Sequence, residues 1–572
     1  MDSSKLLTYV VIFIVCFFGM KFLFPKQADQ PAPQPAQQAA PALSAPAAVA
    51  AAPTTGTAAP ATVAPAESTT VVENELYKIT FTNRGAQVTS WILKKFKDTS
   101  GHQLDLVHAQ ASAQFGYPLS LYTADENTQG KLATALYLPS ATGALATPAT
   151  LSFSFADGNG LVAHKTFTFD ATYVLHAETS VTMNGAPVRA YLAWPTAFGD
   201  EQLPAQFAST QIDTMDAGSD KHLAVKKVDN SGSLSGPYDW AGVSDQHFAA
   251  VFLPDDPQSA SLVTFKRDFA LAGVKNPLPV LGVGFASNTG VTSTRLFVGP
   301  KFYALLKTIH ATAPGGAQTG PAMEKLIDFG WLGPIAKFLF LSLFFVYQHI
   351  TGNWGWAIIV LTLIINVVLI PVRVMTLNSA LKMQRIQPQM EQIKAKYAKY
   401  KVTDPKRADM NKEIMELQKE NGVNMFGGCI PSLLQMPLLI AFYTMLSRVT
   451  EMRLQHWYWL PDLTAKDPLH ILPIFMVVSM FLVQFYTPSP GVDPQQQRMM
   501  AFMMPAISGF MVWNFASGLG LYWATGNILM IVQQAVMNNL TATGREMREI
   551  AARRARRKSG SGTIQGKRPA TR

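Results

Sequence analysis

Only two cysteines, Cys16 and Cys429, occur in 572 residues, and both fall within or beside long apolar runs. A disulfide-stapled domain is therefore excluded, and whatever folds between residues 70 and 320 must be held by core packing. Charge is also scarce, at 15% Asp, Glu, Lys and Arg against 48% hydrophobic content, which is little for the surface of a soluble protein of this length. No Asp or Glu lies inside a long apolar run, so a proton relay or cation site of the usual kind is missing. His102, His108, His164, His176, His222 and His247 show no metal-ligand spacing and read as scattered surface histidines. No clustered acid, base and nucleophile can be found. The chain reads as a non-enzyme with neither metal nor cofactor.

What is present is a set of apolar runs, at residues 6–24, 354–372, 428–447, 471–486, 499–516 and 519–537. Each is near the ~20 residues needed to cross ~30 Å of hydrocarbon. A seventh candidate, 331–347, carries only Lys337. Counting it as a span would move the basic stretch 373–419 to the face opposite the basic tail, which the positive-inside rule disfavours. Residues 321–350 therefore read as an amphipathic helix in the outer interface, with Lys325, Asp328 and Lys337 on its wet side. Six spans place both termini in the cytoplasm. The first, within residues 1–26, reads as an uncleaved signal anchor, because its apolar run is long and no small-residue cleavage site follows it.

Charge is sorted along the chain. Residues 27–320 hold 17 Lys/Arg against 22 Asp/Glu, and the tail from 538 holds 10 against 2. Residues 27–69, rich in Ala, Pro, Gln and Thr, form a flexible linker. From 70 to 320 short alternating runs such as Tyr77, Ile79 and Phe81, broken by turns such as Asn184-Gly185, predict an antiparallel β-sandwich. Residues 373–424 predict a cytoplasmic helical hairpin restarted at Asp404-Pro405, either self-packed or offering Lys382, Arg385, Gln387 and Pro388 to polypeptide partners. Residues 541–572 form a basic cytoplasmic tail. Its Arg553, Arg554, Arg556, Arg557 and Lys558 suit anionic lipid or ribosomal RNA phosphates.

The spans carry polar residues: Thr362 and Asn366 on one face, then Gln435, Gln484, Asn514, Tyr522, Thr525, Asn527, Gln533 and Gln534. Singly, each suits an interhelical hydrogen bond. Together they suggest a hydrated cavity among short helices, with Leu438, Phe442, Phe502 and Phe510 as its greasy exit. A channel or transporter is the alternative, although repeated span sets and intramembrane charges are missing. A membrane-bound envelope enzyme is a second rival.

The order of motifs resembles the YidC-type membrane protein insertases of double-membrane bacteria. The matching stretches are Gly352-Asn353-Trp354-Gly355-Trp356, Gln387-Pro388, Gly427-Gly428-Cys429 to Gln435-Met436-Pro437, Asp467-Pro468, Asp493-Pro494 and Ser517-Gly518-Leu519 to Leu521-Tyr522-Trp523. The resemblance covers about residues 321–540. It implies a polytopic α-helical membrane protein of the bacterial inner membrane: a signal anchor and a five-helix core (351–540) carrying a large periplasmic all-β super-sandwich domain. It also implies insertion and folding of nascent membrane proteins, alone or beside the Sec translocon, through a groove open to cytoplasm and lipid. The basic tail adds the ribosome and membrane lipids as expected partners, and no DNA is expected. Residues expected in the groove are Thr362, Asn366, Arg373, Gln435, Tyr522 and Trp523. Asn366 stands where the family usually has arginine, and Arg373, seven residues on, falls on the same stripe and either replaces that charge or anchors the span.

Overall fold

A computed structural model describes residues 60–562 apart from 99–100, 197–209, 229–231, 271–276, 314, 401–403, 424–429 and 487–493. The first apolar run, most of the linker and both cysteines lie outside the described residues.

Alternation of apolar and polar residues makes half-buried strands, and residues 69–300 form three sheets of five, ten and five strands. In Tyr77–Thr82 the alternate residues Tyr77, Ile79 and Phe81 are buried. The ring of Phe81 packs on Phe167 of the ten-stranded sheet at 5.4 Å between centroids. Further along the same face, Phe252 of that sheet stacks with Phe285 of the third at 6.0 Å. Both small sheets thus bury a face against the large one, a sandwich extended sideways. Residues before the expected boundary at 69 already belong to the β-domain: Thr62 forms a bridge with Ala156, and Ala64 is buried and donates its amide to Leu136. The linker is shorter than its composition suggests, because small residues such as Ala64 fit against a sheet edge as well as they suit a coil.

The sandwich is pinned at one charged point. Lys165 is fully buried and donates to the carbonyls of Gly85, Ala86 and Leu119 at 2.8, 2.9 and 2.8 Å. Burial pulls its ammonium down to about 7, whereas three acceptors and the Tyr137 ring at 5.6 Å favour the charged form. The histidines are also less superficial than expected. His108 and His247 are buried, and the His108 ring accepts from the Ala111 amide to cap a helix. Lys165→Met would leave three carbonyls without donors at ~1–3 kcal/mol each. Hydrogen exchange in strands Tyr77–Thr82 and Leu161–Phe169 should accelerate sharply, and unchanged protection would contradict this.

The helical region comprises α1 (Gly333–Val346), α2 (Trp354–Val368), α3 (Ile370–Lys396), α4 (Lys406–Glu420), α5 (Ile430–Arg448), α6 (Ile471–Tyr486), α7 (Pro494–Val512), α8 (Ser517–Leu540) and α9 (Ala542–Gly562). The motif residues build its joints. Asn353 caps α2 by accepting from the Gly355 and Trp356 amides. A Cβ on Gly355 would stand 2.2 Å from the Trp457 ring, so only glycine fits. Asp467 caps α6 through the Leu469 and Leu472 amides. The Ser517 and Gly518 amides donate to Ala465 and Leu463, seating α8 on the loop 449–470.

By length and composition, Gly333–Thr351 is the one helical stretch among the described residues that could cross a membrane unbroken; α2 and α3 qualify only together, bent by 51°. The helix α1 is not amphipathic as expected. Ala336, Leu339, Phe340 and Leu343 are buried, while Phe338, Leu341 and Phe345 are exposed, so it is apolar on both sides. Of the expected wet-side charges, Lys325 and Asp328 lie before the helix. Lys337 pairs with Glu324 at 3.2 Å over the Tyr303 ring.

The β-domain and the loop 449–470 share a buried polar joint. Thr450 donates to the His247 carbonyl (3.1 Å) and Arg453 to that of Lys97 (3.2 Å), with its guanidinium over the Phe248 ring. Lys301 donates to the Asp245 carbonyl, and Glu451 accepts the Tyr303 amide, each at 2.5 Å. Burial pushes the Glu451 carboxyl up to about 7 from its ordinary 4.5. A raised carboxyl favours the docked state while protonated. That contribution is complete below the ordinary value and is lost as pH rises through about 7. Exchange of the Tyr303 amide should therefore be slower at pH 5 than at pH 8 after correction for intrinsic rates, and Glu451→Gln should flatten that difference. An undiminished difference in the variant would place its origin elsewhere, in Asp245, His247 or Lys301.

Candidate substrate groove

Pro371 lacks an amide and its ring crowds the carbonyl four residues back, so α2 cannot run straight into α3. The chain bends 51° at Leu369. A ladder of side chains crosses the bend. Thr362 Oγ1 donates to the Ile358 carbonyl (2.6 Å), Asn366 Nδ2 to that of Thr362 (2.8 Å), and Arg373 Nη2 to Asn366 Oδ1 (2.8 Å). Thr362 and Asn366 are buried, and Arg373 is half-buried. From α8, Gln533 Nε2 approaches the Asn366 carbonyl at 3.4 Å, while its Oε1 is buried without a protein partner, as suits a group that binds water.

The second half of the site joins α5 to α8. Gln435 Nε2 donates to the Tyr522 hydroxyl at 3.0 Å, and the Tyr522 ring stacks on Phe442 with centroids 4.0 Å apart. Arg373 lies close enough to Tyr522 for each to act electrostatically on the other. The geometry thus brings together Thr362, Asn366, Arg373, Gln435 and Tyr522. Trp523 is half-buried and makes none of these contacts, since adjacent helical residues point ~100° apart. Gln533 was predicted only as one polar residue among several in its span; its signal is the 11-residue spacing from Tyr522, three turns along one face. Asn527 instead fastens α8 to α6 through Ser479 at 3.0 Å, an ordinary interhelical bond. Of the expected greasy exit, Phe502 and Phe510 are exposed, but Phe442 is fully buried beneath Tyr522 and lines no exit.

Below the bend, α3 and α4 pair around Ile386, Met390 and Val423, with Ile414 and Leu417 against them. Pro388 lies inside the unbroken α3, Gln387 contacts Glu391, and Lys382 reaches the Gly422 carbonyl at 3.4 Å. The other buried residues of α3, Leu377 and Leu381, face Met537 and Met547 rather than α4. Arg385 is exposed and pairs with Glu546 of α9 at 2.5 Å. The tail begins as the helix α9, docked on α3 and α8. Arg553 and Arg556 on it are exposed, while the side chains of Arg554, Arg557 and Lys558 lie outside the described ones.

In the β-domain Ser293, His176 and Asp255 meet, with His176 Nε2 at 2.7 Å from Asp255 Oδ2 and 3.2 Å from Ser293 Oγ. Both contacts use the same ring nitrogen, so the histidine cannot relay a proton from serine to aspartate. Among the described residues, no three His, Cys, Asp or Glu side chains gather as a metal site.

A bent, polar-lined set of helices carrying a β-sandwich on one side defines a class of inner-membrane protein. Residues 345–544 match the family model described as 60Kd inner membrane protein, and 69–342 match the YidC periplasmic domain. The membrane protein insertase YidC of Geobacter sulfurreducens is 33% identical over 568 residues, covering 95% of this chain and 99% of the relative. That of Citrifermentans bemidjiense is 32% identical over 566 residues, covering 94% and 100%. The chain belongs to the YidC family of membrane protein insertases, with a periplasmic β-domain and a C-terminal helical core. A solved structure of an active YidC insertase aligns over 83% of this chain and 95% of its own at 18% identity and a TM-score of 0.34, too loose a superposition to add detail.

Proposed function

We propose that this protein inserts and folds membrane proteins by admitting polar segments into the groove between α2, α5 and α8 while their apolar segments pass sideways into lipid. The observation that carries this reading is the Arg373–Asn366 bond, a cation drawn back across a helix bend onto buried polar groups. Each unsatisfied polar group in hydrocarbon costs several kcal/mol, so a wet, polar wall lowers the barrier for a translocating hairpin without bond chemistry, nucleotide or metal. Arg373 supplies at the groove mouth the positive charge that the Asn366 position lacks, and thereby favours acidic segments. A channel or transporter would also want inward polar residues, but the family assignment favours insertion.

Both termini are cytoplasmic in this reading, and α1 lies in the outer interface. The middle of α1 touches Tyr303, itself bound to Glu451, through Phe340. Its C-terminal end leads to Tyr347 stacked on Trp354, and the neighbouring Trp356 meets Trp457. Glu451 and Trp457 belong to one loop, so α1 runs along a single face instead of crossing. Its exposed Phe338, Leu341 and Phe345 then rest in acyl chains. Nascent chains are the substrates, the Sec translocon is an optional partner, and the basic end of α9 meets ribosomal RNA or anionic lipid.

In cells depleted of the native protein, Arg373→Gln should impair insertion of substrates with acidic translocated segments more than neutral ones. Asn366→Arg added to Arg373→Gln should restore them, with topology verified in each variant. Equal insertion of both substrate classes in correctly oriented Arg373→Gln would leave Arg373 as an anchor only. Ribosome binding through the tail should fall steeply with salt as counterions are released; salt-independent binding would remove RNA as the partner.

A further inference from the structure

The 27-residue helix α3 leaves the core at the bend beside Leu369 and carries Arg373 on its first turn. Beyond its first turns it is packed by α4, its partner in the hairpin, and by α9, which continues from α8. The contact with α9 is specific. Leu377 and Leu381 of α3 are buried with Met537 of α8 and Met547 of α9, and Ile550 packs on the same cluster. Gln384 Nε2 donates to the Met547 carbonyl at 3.3 Å, Thr543 Oγ1 meets Asn378 Oδ1 at 3.1 Å, and Arg385 pairs with Glu546. The exposed ion pair adds little; the buried methionine and leucines carry the contact.

The turn joining α8 to α9 is itself fixed. Thr541 Oγ1 donates to the Met537 carbonyl at 2.6 Å and accepts the Gly544 amide at 3.0 Å. A Cβ at Gly544 would fall 2.2 Å from the Met537 carbonyl oxygen, so a larger residue cannot make this turn. The helix α9 is thus bolted to α8, the groove wall bearing Tyr522 and Gln533, and its apolar side grips α3.

We propose that α9 is a strut that sets the angle of α3 about the bend and so holds Arg373 at Asn366, with Met547 and Ile550 as positioning residues. At 1.5 Å per residue Lys394 lies ~36 Å beyond Ile370, so a swing of ~10° displaces it by ~6 Å. Arg373, only ~4.5 Å beyond Ile370, moves by ~0.8 Å in the same swing, enough to lengthen its 2.8 Å bond to Asn366. The consequence for insertion rests on the groove reading above, whereas the angle itself does not.

The test uses the full chain in bilayers, with Cys16 and Cys429 replaced and spin labels at Lys394→Cys on α3 and Leu469→Cys in the loop 449–470. Truncation after Ala552 keeps Met547 and Ile550 but removes the basic run, and the distance distribution should stay narrow. Truncation after Leu540 or Met547→Asp should shift or broaden it by several ångströms, and Met547→Leu should restore it. In parallel, Met547→Asp should lower insertion of acidic substrates more than neutral ones. An unchanged distribution after loss of α9, or an equal change on truncation after Ala552, overturns the strut. A broadened distribution with no difference between acidic and neutral substrates upholds the strut and counts against the role given to Arg373.

Discussion

The constraint on which the rest depends is that half-buried Arg373 is paired with a buried amide across the bend. Its partner, Asn366, is on the far side of a proline-induced bend, and the 2.8 Å bond between them closes that bend with side chains. Removing one member of a buried pair costs more than the pair contributes. The bond therefore ties the course of α3, the polarity of the α2 wall and the placement of Gln533 and Tyr522 into one arrangement. In the proposed groove the charge of Arg373 is held across the bend by the Asn366 amide.

A second fastening operates on the opposite side. The β-domain is tied to α1 and to the loop 449–470 by buried Lys301 and Arg453, by half-buried Glu451 and by the ring contacts of Tyr303 and Phe248. These contacts join the loop between α5 and α6 to a rigid sandwich, whose own centre is locked by Lys165. In the proposed mechanism the helices lining the groove are anchored at the ends next to the β-domain, which leaves the opposite ends to part for a substrate.

Much of this was legible in the sequence. The apolar run 471–486 coincides with α6, the alternation at Tyr77, Ile79 and Phe81 gave a strand, and Thr362, Asn366 and Arg373 were expected on one face. Helical period and burial depend on local spacing, so they can be read from the chain. Long-range pairing cannot. Glu451 and Arg453 are two charges in a loop until Tyr303, Lys97 and Phe248 are folded beside them. The docking of α9 was hidden because its composition is basic; the apolar Met547 and Ile550, three residues apart, were the available sign. The helix α1 misled for the opposite reason, since charges near it in sequence lie off it in space.

The central claim is that water and charge reach the buried polar wall from the cytoplasmic side. The most direct measurement is thiol labelling of single-cysteine proteins lacking Cys16 and Cys429, with a membrane-impermeant reagent applied to inverted vesicles. Cysteine at Gln533 or Gln435 should react at rates near that of an exposed hairpin position. Cysteine at Phe510, 82% exposed in the protein yet facing lipid in this account, should not. Equal inertness at Gln533, Gln435 and Phe510 in folded, functional protein would mean that the wall is dry and the groove mechanism is wrong.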